Sequence, residues 1–122
     1  MSPALSHLLN HFGSSLFSYK PSAIASYSSG QWGGTRAALN MRSFLSELGC
    51  LPVSAMLHFP HAHQILDEQG NFEKDPQQWS QYMYRTIAQL IWYAQATKIH
   101  RQQLDPSILI RPFQRNPSQR NA

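Results

Sequence analysis

One stretch of the chain concentrates groups that could hold a ligand: Ser26-Tyr27-Ser28-Ser29-Gly30-Gln31-Trp32-Gly33-Gly34-Thr35. Glycines let backbone N–H groups approach a bound molecule closely, and the serine and threonine hydroxyls add adaptable hydrogen bonds. Trp32 offers a flat apolar face. The pattern is neither a P-loop nor G-x-G-x-x-G, and it suits the rim of a planar polar ring better than a phosphate alone. The bland alternative is a tight turn that needs glycine backbone angles. His58, His61 and His63 form His-x-x-His-x-His. Imidazoles can bind zinc, copper or nickel, but no cysteine lies nearby and Asp67-Glu68 falls in a turn, so we assign no metal there. Cys50 reads as a small buried thiol, since no base partner is visible. No paired carboxylates and no nucleophile triad can be read, so no side chain is assigned as catalytic.

These groups need elements to position them. Leu5, Leu8, Leu9, Phe12 and Leu16 recur at helical spacing and predict a helix from Pro3 to about Phe17, with Gly13-Ser14-Ser15 fraying its end. Ser22–Ser28 reads as a buried strand that leads into the glycine loop. Ala37, Ala38, Met41, Leu45 and Leu48 form the stripe of the following helix, and Gly49 stands where its C-terminal cap belongs. Val53–Leu57 is the second strand. Pro60–Phe72 is irregular, with a turn at Glu68-Gln69-Gly70-Asn71. Asp75 is placed to cap the last helix and Pro76 suits its first turn. Trp79, Met83, Ile87, Leu90, Ile91 and Ala94 then form its apolar stripe. The aromatic residues Trp79, Tyr82, Tyr84, Trp92 and Tyr93 on it read as packing rather than as a stacking platform. His7, His11 and His100 read as helix-surface residues. Helix, strand, glycine loop, helix, strand is the order of a parallel sheet with crossover helices. In such sheets ligands bind beyond the carboxyl ends of the strands, where the glycine loop falls.

Composition narrows the rest. The chain has 122 residues, one domain's worth, with 42% hydrophobic and 13% charged residues. One cysteine excludes an internal disulfide framework and suits a reducing, cytoplasmic compartment. No apolar run reaches the ~20 residues of a membrane span. The net charge of +4 is misleading. Up to Thr97 the five basic residues Lys20, Arg36, Arg42, Lys74 and Arg85 balance the acidic Glu47, Asp67, Glu68, Glu73 and Asp75. The excess lies in Lys98, Arg101, Arg111, Arg115 and Arg120. A nucleic-acid binder carries its charge on a folded face, so we expect no nucleic acid and no membrane as partners. Residues 105–122 read as a basic tail, disordered from about Pro112, and Ile108-Leu109-Ile110 as an apolar island that either docks or stays loose.

Lys20-Pro21, Ser26 to Ala38, Arg42, Leu45, Leu48, Gly49, Pro52-Val53, Phe59-Pro60-His61-Ala62, Asp67-Glu68-Gln69-Gly70-Asn71 and a last helix with Leu90, Trp92, Tyr93 and Ala94 resemble the second half of the NADPH-dependent FMN reductase family. The resemblance runs from about Ser2 to Arg101. It implies an α/β, flavodoxin-like α/β/α fold, reduced here to the last two parallel strands with flanking helices. It also implies a partial domain over residues 1–104. By the same resemblance Ser28, Ser29, Gly30, Gln31, Trp32, Gly33 and Gly34 would line FMN and the nicotinamide side, and Arg36 is a weaker candidate for nucleotide phosphate. The implied activity passes hydride from NAD(P)H through bound FMN to a small-molecule acceptor such as a quinone, metal ion, azo compound or free flavin, in a homo-oligomer.

Two of the family's segments do not occur in these 122 residues: the Gly-Ser-x-Arg-x-x-Ser phosphate loop and the Pro-x-Tyr-Asn segment beside the flavin ring. In the first helix, His7 and Asn10 stand where the family often has Asn and Asp. Met1 therefore reads as an internal methionine or the start of a shortened product. Charge-assisted hydrogen bonds contribute ~1.5–3 kcal/mol each, so losing two or three would weaken flavin affinity by orders of magnitude. The Ser22–Ser28 strand would also become an exposed edge. The sequence thus leaves two readings open: a reductase-like enzyme weakened by the missing loop, or a non-catalytic chain that associates with itself or with a full-length relative.

Overall fold

A computed structural model describes residues 1–109 of the chain. Its order is α1 (Pro3–Phe12), α2 (Ser14–Phe17), β1 (Pro21–Ser22), β2 (Ala25–Tyr27), α3 (Thr35–Glu47), β3 (Leu51–Pro52), β4 (Leu57–Phe59), α4 (Ala62–Ile65) and α5 (Pro76–Gln103), then a 3-10 turn at Pro106–Ile108. The tail from residue 110 onward lies outside the described residues, and with it the disorder expected from about Pro112. Ile108 and Leu109 are both exposed, so that part of the apolar island does not dock.

Both strand pairs are parallel, β1 with β3 and β2 with β4. They are segments of two longer strands that share one break. Pro21 pairs with Leu51, whereas Ala25 pairs with Leu57, so the second strand carries two extra residues between the pairs. This corrects the expected continuous strands over Ser22–Ser28 and Val53–Leu57. Val53 N–H still reaches Ser22 O at 2.9 Å and Leu57 N–H reaches Ile24 O at 2.9 Å. The surplus residues bulge between them. Arg42 of α3 fills the gap: its guanidinium donates to Val53 O at 2.8 Å and to Pro52 O at 3.4 Å.

The core sits between this sheet and α1 and α3. Ile24, Ala38, Met41 and Leu45 form it, with Leu9, Phe44, Cys50 and Met56 packed around them. The α3 stripe lands as its spacing predicts, and Gly49 follows the helix with φ 82, its N–H bonded to Ser46 O at 2.9 Å. Gly13, at φ 69, separates α1 from α2, so the first helix ends before Phe17.

α5 covers the opposite face. Thr86 is its fully buried residue. Its first turns are pinned by an aromatic cluster: Phe72 stacks on Trp79 at 5.2 Å, Phe59 lies 5.6 Å from Trp79, and Tyr82 meets Trp79 edge-on at 5.8 Å. Asp75 does not cap α5 as expected. It adopts the left-handed conformation (φ 49) and its side chain makes no cap hydrogen bond. The expected stripe of α5 is used only in part, because Ile87 and Ile91 are exposed, and Tyr84 and Trp92, expected to pack, are exposed as well. Periodicity locates an apolar flank but not what covers it. Residues 60–72 hold the one-turn α4 and an antiparallel bridge between Leu66 and Phe72, closed by Asp67, whose carboxylate accepts from Gln69 N at 2.9 Å and Asn71 N at 2.8 Å.

Candidate functional site

The loop after β2 crosses the carboxyl ends of both strands. Its position is fixed from three sides. Ser26 Oγ lies 2.7 Å from Gly33 O and 2.8 Å from His58 Nδ1, which ties the loop to β2 and β4 together. Thr35 Oγ1 donates to Trp32 O at 2.6 Å, closing the turn into α3. The segment after β4 holds the loop's outer strand: His61 N–H donates to Gly30 O at 3.1 Å and Ala62 N–H to Ser28 O at 3.0 Å.

The glycines divide by role. Gly33 and Gly34 have φ 57 and 78, in the left-handed region. A Cβ on Gly33 would lie 3.0 Å from Phe59 N and Pro60 N, and one on Gly34 would lie 3.1 Å from Ser26 Cβ and Tyr27 O. Those two are required by the close approach of the turn to the strand ends. Gly30 is different: a Cβ there would meet only Ser28 Oγ, at 3.9 Å. Its surroundings are open.

What the loop offers a ligand is a run of donors. Among the described residues, the N–H groups of Ser29, Gly30, Gln31 and Trp32 donate to no protein acceptor, and Ser29, Gly30, Gln31 and Trp32 are all exposed. Trp32 is 69% and Tyr27 77% exposed, so two aromatic faces stand beside them. Ser28 Oγ is committed to Gly30 O at 3.1 Å. This donor set fits the acceptor-rich rim of a planar heterocycle such as the isoalloxazine of FMN. It supplies no side-chain cation to a phosphate. Arg36 is exposed on the first turn of α3, and Arg42, which also resembled the family pattern, is spent on the strand break.

The seven residues expected at the site, Ser28, Ser29, Gly30, Gln31, Trp32, Gly33 and Gly34, are brought together in one loop, with Ser29, Gly30, Gln31 and Trp32 outward and Gly33 buried beneath them. The histidine triplet does not assemble. His58 is held by Ser26, and His61 Nδ1 lies 3.1 Å from Ser29 O. Among the described residues no three His, Cys, Asp or Glu side chains lie together as a metal site would need. The Ser26–His58 link escaped the sequence reading, although both residues were in view, because their proximity depends on the parallel register of β2 and β4. His7, His11 and His100 are exposed on helices as expected.

Cys50 lies at the other end of the sheet, half-buried, with Sγ 3.4 Å from Phe17 O. Burial pushes its thiol up, only partly offset by Ser22 and Lys20. It borders a cavity of about 410 Å³ shared with Tyr19, Thr97, His100 and Arg101. That cavity is remote from the glycine loop and is walled mostly by apolar atoms.

Comparison with known proteins gives one family. A family model described as NADPH-dependent FMN reductase matches residues 1–64, which span α1 to α4 except its last residue and contain the whole loop. No curated protein and no solved structure matches the chain. Among the described residues no helix is long and apolar enough to cross a membrane.

Proposed function

The chain belongs to the NADPH-dependent FMN reductase family, and we propose that its glycine loop binds the flavin ring of FMN in an NAD(P)H-dependent, reductase-like role. The family carries a flavodoxin-like fold, and the α/β order with short parallel strands is consistent with it. The observation that supports the reading most is the run of free N–H groups from Ser29 to Trp32 on an exposed loop at the carboxyl ends of the strands.

In this role the backbone N–H groups of Ser29, Gly30, Gln31 and Trp32 donate to ring acceptors, and the Trp32 indole shields one face from water. Gly33 and Gly34 shape the turn, and Ser28 holds Gly30 in place. Ser26, Thr35 and His58 act as positioning residues, since each fixes the loop rather than reaching the ligand. When bound, the flavin supplies two-electron transfer between NAD(P)H and a small acceptor such as a quinone, a metal ion or free flavin. The protein contributes position and electrostatics, which is why no catalytic side chain is needed. We place this unit over residues 1–104, with residues 105–122 as a basic tail, in a cytoplasmic homo-oligomer.

Because the chain's own phosphate donors are few, ring contacts must carry most of the affinity. Titration with FMN and with riboflavin tests this, following flavin fluorescence while circular dichroism reports the fold. Saturable binding of both, with FMN favoured by less than about tenfold (~1.4 kcal/mol), is expected. No binding by a folded chain would overturn it. Oxidation of NADPH by the loaded chain then separates an active enzyme from the second reading, a non-catalytic partner.

A further inference from the structure

At the amino ends of the strands, opposite the glycine loop, α5 and the residues that lead into β1 and β3 border the cavity of about 410 Å³ beside Cys50. That volume falls in the range of small-molecule pockets, ~300–1,000 Å³. Its walls are tied together. Tyr19 N–H donates to Gly49 O at 3.0 Å, Leu51 N–H to Lys20 O at 2.9 Å, and Arg101 of α5 to Tyr19 O at 2.9 Å. These bonds hold Tyr19 in the left-handed conformation, φ 61, which a non-glycine residue rarely adopts. At 100° per residue, Ala96 and His100 share the flank of α5 with Arg85 and Gln89, which face Ser54 and Ala55. The cavity therefore lies on the side of α5 away from β2.

Wall and rim differ in chemistry. Leu51, Ala96 and Pro106 supply carbon, and the Thr97 hydroxyl is spent on Tyr93 O at 2.8 Å within its own helix. Burial pushes the Cys50 thiol up, so it stays protonated and adds no charge. No Asp or Glu borders the cavity. Asp105, next to Pro106, has its carboxylate on the Ser107 N–H at 2.9 Å. The charge at the rim is that of Arg101, which is half-buried. A guanidinium carries five N–H donors. Here Nη1 is bonded to a neutral carbonyl, and among the described residues no carboxylate pairs with the group. An apolar hollow with one unneutralised guanidinium is complementary to an apolar body that carries one anionic group. The exposed imidazole of His100 adds a second polar group to the same rim.

We propose that this cavity is a second ligand site, for a small apolar monocarboxylate, with the carboxylate on Arg101 and the hydrocarbon body against Leu51, Ala96 and Pro106. One fixed cation matches one negative charge, whereas a phosphate dianion would leave its second charge uncompensated. The planar guanidinium presents paired donors that fit the two carboxylate oxygens. The site rests neither on flavin binding nor on oligomerisation.

The test uses the flavin-free chain, so its failure is separate from failure of the flavin reading. The labelled chain is titrated with octanoate and phenylacetate, and with the matching alcohols octanol and phenylethanol, in amide ¹H–¹⁵N correlation spectra. The resonances of Gly49, Leu51, Thr97 and Arg101 should shift and saturate, those of Ser29 to Trp32 should stay still, and each acid should bind at least about tenfold more tightly than its alcohol. Arg101→Gln should lower the affinity for the acids to that for the alcohols and leave the alcohols unchanged. That variant also loses the bond to Tyr19 O, so a second one is needed. Ala96→Leu, at an exposed helix position, fills the cavity and should abolish binding of acid and alcohol alike while circular dichroism is unchanged. Three results would overturn the proposal: a folded chain with no saturable shift, acids that bind no more tightly than their alcohols, or binding that Ala96→Leu leaves intact.

Discussion

The two edges of this small sheet treat their backbone groups in opposite ways. Along β3 and β4 the chain satisfies its own outward polar atoms with side chains. Tyr82 Oη accepts the His58 N–H at 3.0 Å, Gln89 Oε1 accepts the Ala55 N–H at 3.1 Å, and Arg42 covers the carbonyls of the strand break. Along β2, Ala25 and Tyr27 are left to solvent, and so are the amides of Ser29 to Trp32 at the loop above. Among the described residues, three side chains from two helices serve one edge and none serves the other. Along the covered edge the chain provides these partners itself. Among the described residues, the groups it leaves open gather along β2 and at the loop, where we propose a ligand.

That contrast can be broken most severely at the covered edge. Arg42→Met should cost about 1.5–3 kcal/mol, the range for hydrogen bonds from a charged group, read by urea unfolding. A loss under half of that would mean water replaces the guanidinium at no penalty, and the edge is less closed than its geometry indicates. Gly33→Ala comes next. Its φ of 57 and the 3.0 Å approach to Phe59 N and Pro60 N should cost at least the ~1–2 kcal/mol of a left-handed non-glycine residue. Gly30→Ala should leave stability unchanged within ~0.5 kcal/mol, since its neighbourhood is open. Tyr82→Phe should cost about 1–2 kcal/mol by leaving the His58 N–H without its acceptor.

The open edge sharpens the contrast from the other side. Ala25→Lys should change the stability of the folded monomer by no more than ~0.5 kcal/mol, because no internal partner is lost. A larger loss would show that β2 is supported by contacts the covered edge shares. The smallest effect concerns acid. Backbone N–H groups, that of Asn71 first, hold the Asp67 carboxyl below its ordinary value. Its contribution is therefore present above the ordinary carboxylate range and is lost as pH falls through the lowered value. Amide exchange at Gln69 and Asn71 should accelerate there, and Asp67→Asn should remove that pH dependence.

Much of this arrangement was legible in the residues themselves. Pro3 and Pro76 mark the helix starts, the α3 stripe identifies the core face, and Gly49 marks where α3 stops. The glycine loop falls between strand and helix as read. The strand break was not legible, because a two-residue mismatch between partners is a property of the pair. Neither Leu51-Pro52 nor Leu57–Phe59 announces it, and Arg42 looks like a surface residue until the bulge brings carbonyls to it. Ile87 and Ile91 read as core because spacing reports a face and not its cover. At the site, the seven-residue loop was visible as a unit, but the division between Gly33 and Gly34 as packing glycines and Gly30 as the open one needed the end of β4 in place.

The central claim is that the free amides from Ser29 to Trp32 receive a flavin ring. The direct measurement is an amide ¹H–¹⁵N correlation spectrum of the labelled chain during titration with lumiflavin, which presents the ring without ribityl or phosphate. The resonances of Ser29, Gly30, Gln31 and Trp32 should shift together and saturate, while those of Ala55 and His58, whose N–H groups already have partners, move little. A folded chain in which the loop amides stay still, or in which the shifts fall along α5 or around Cys50 instead, would contradict it.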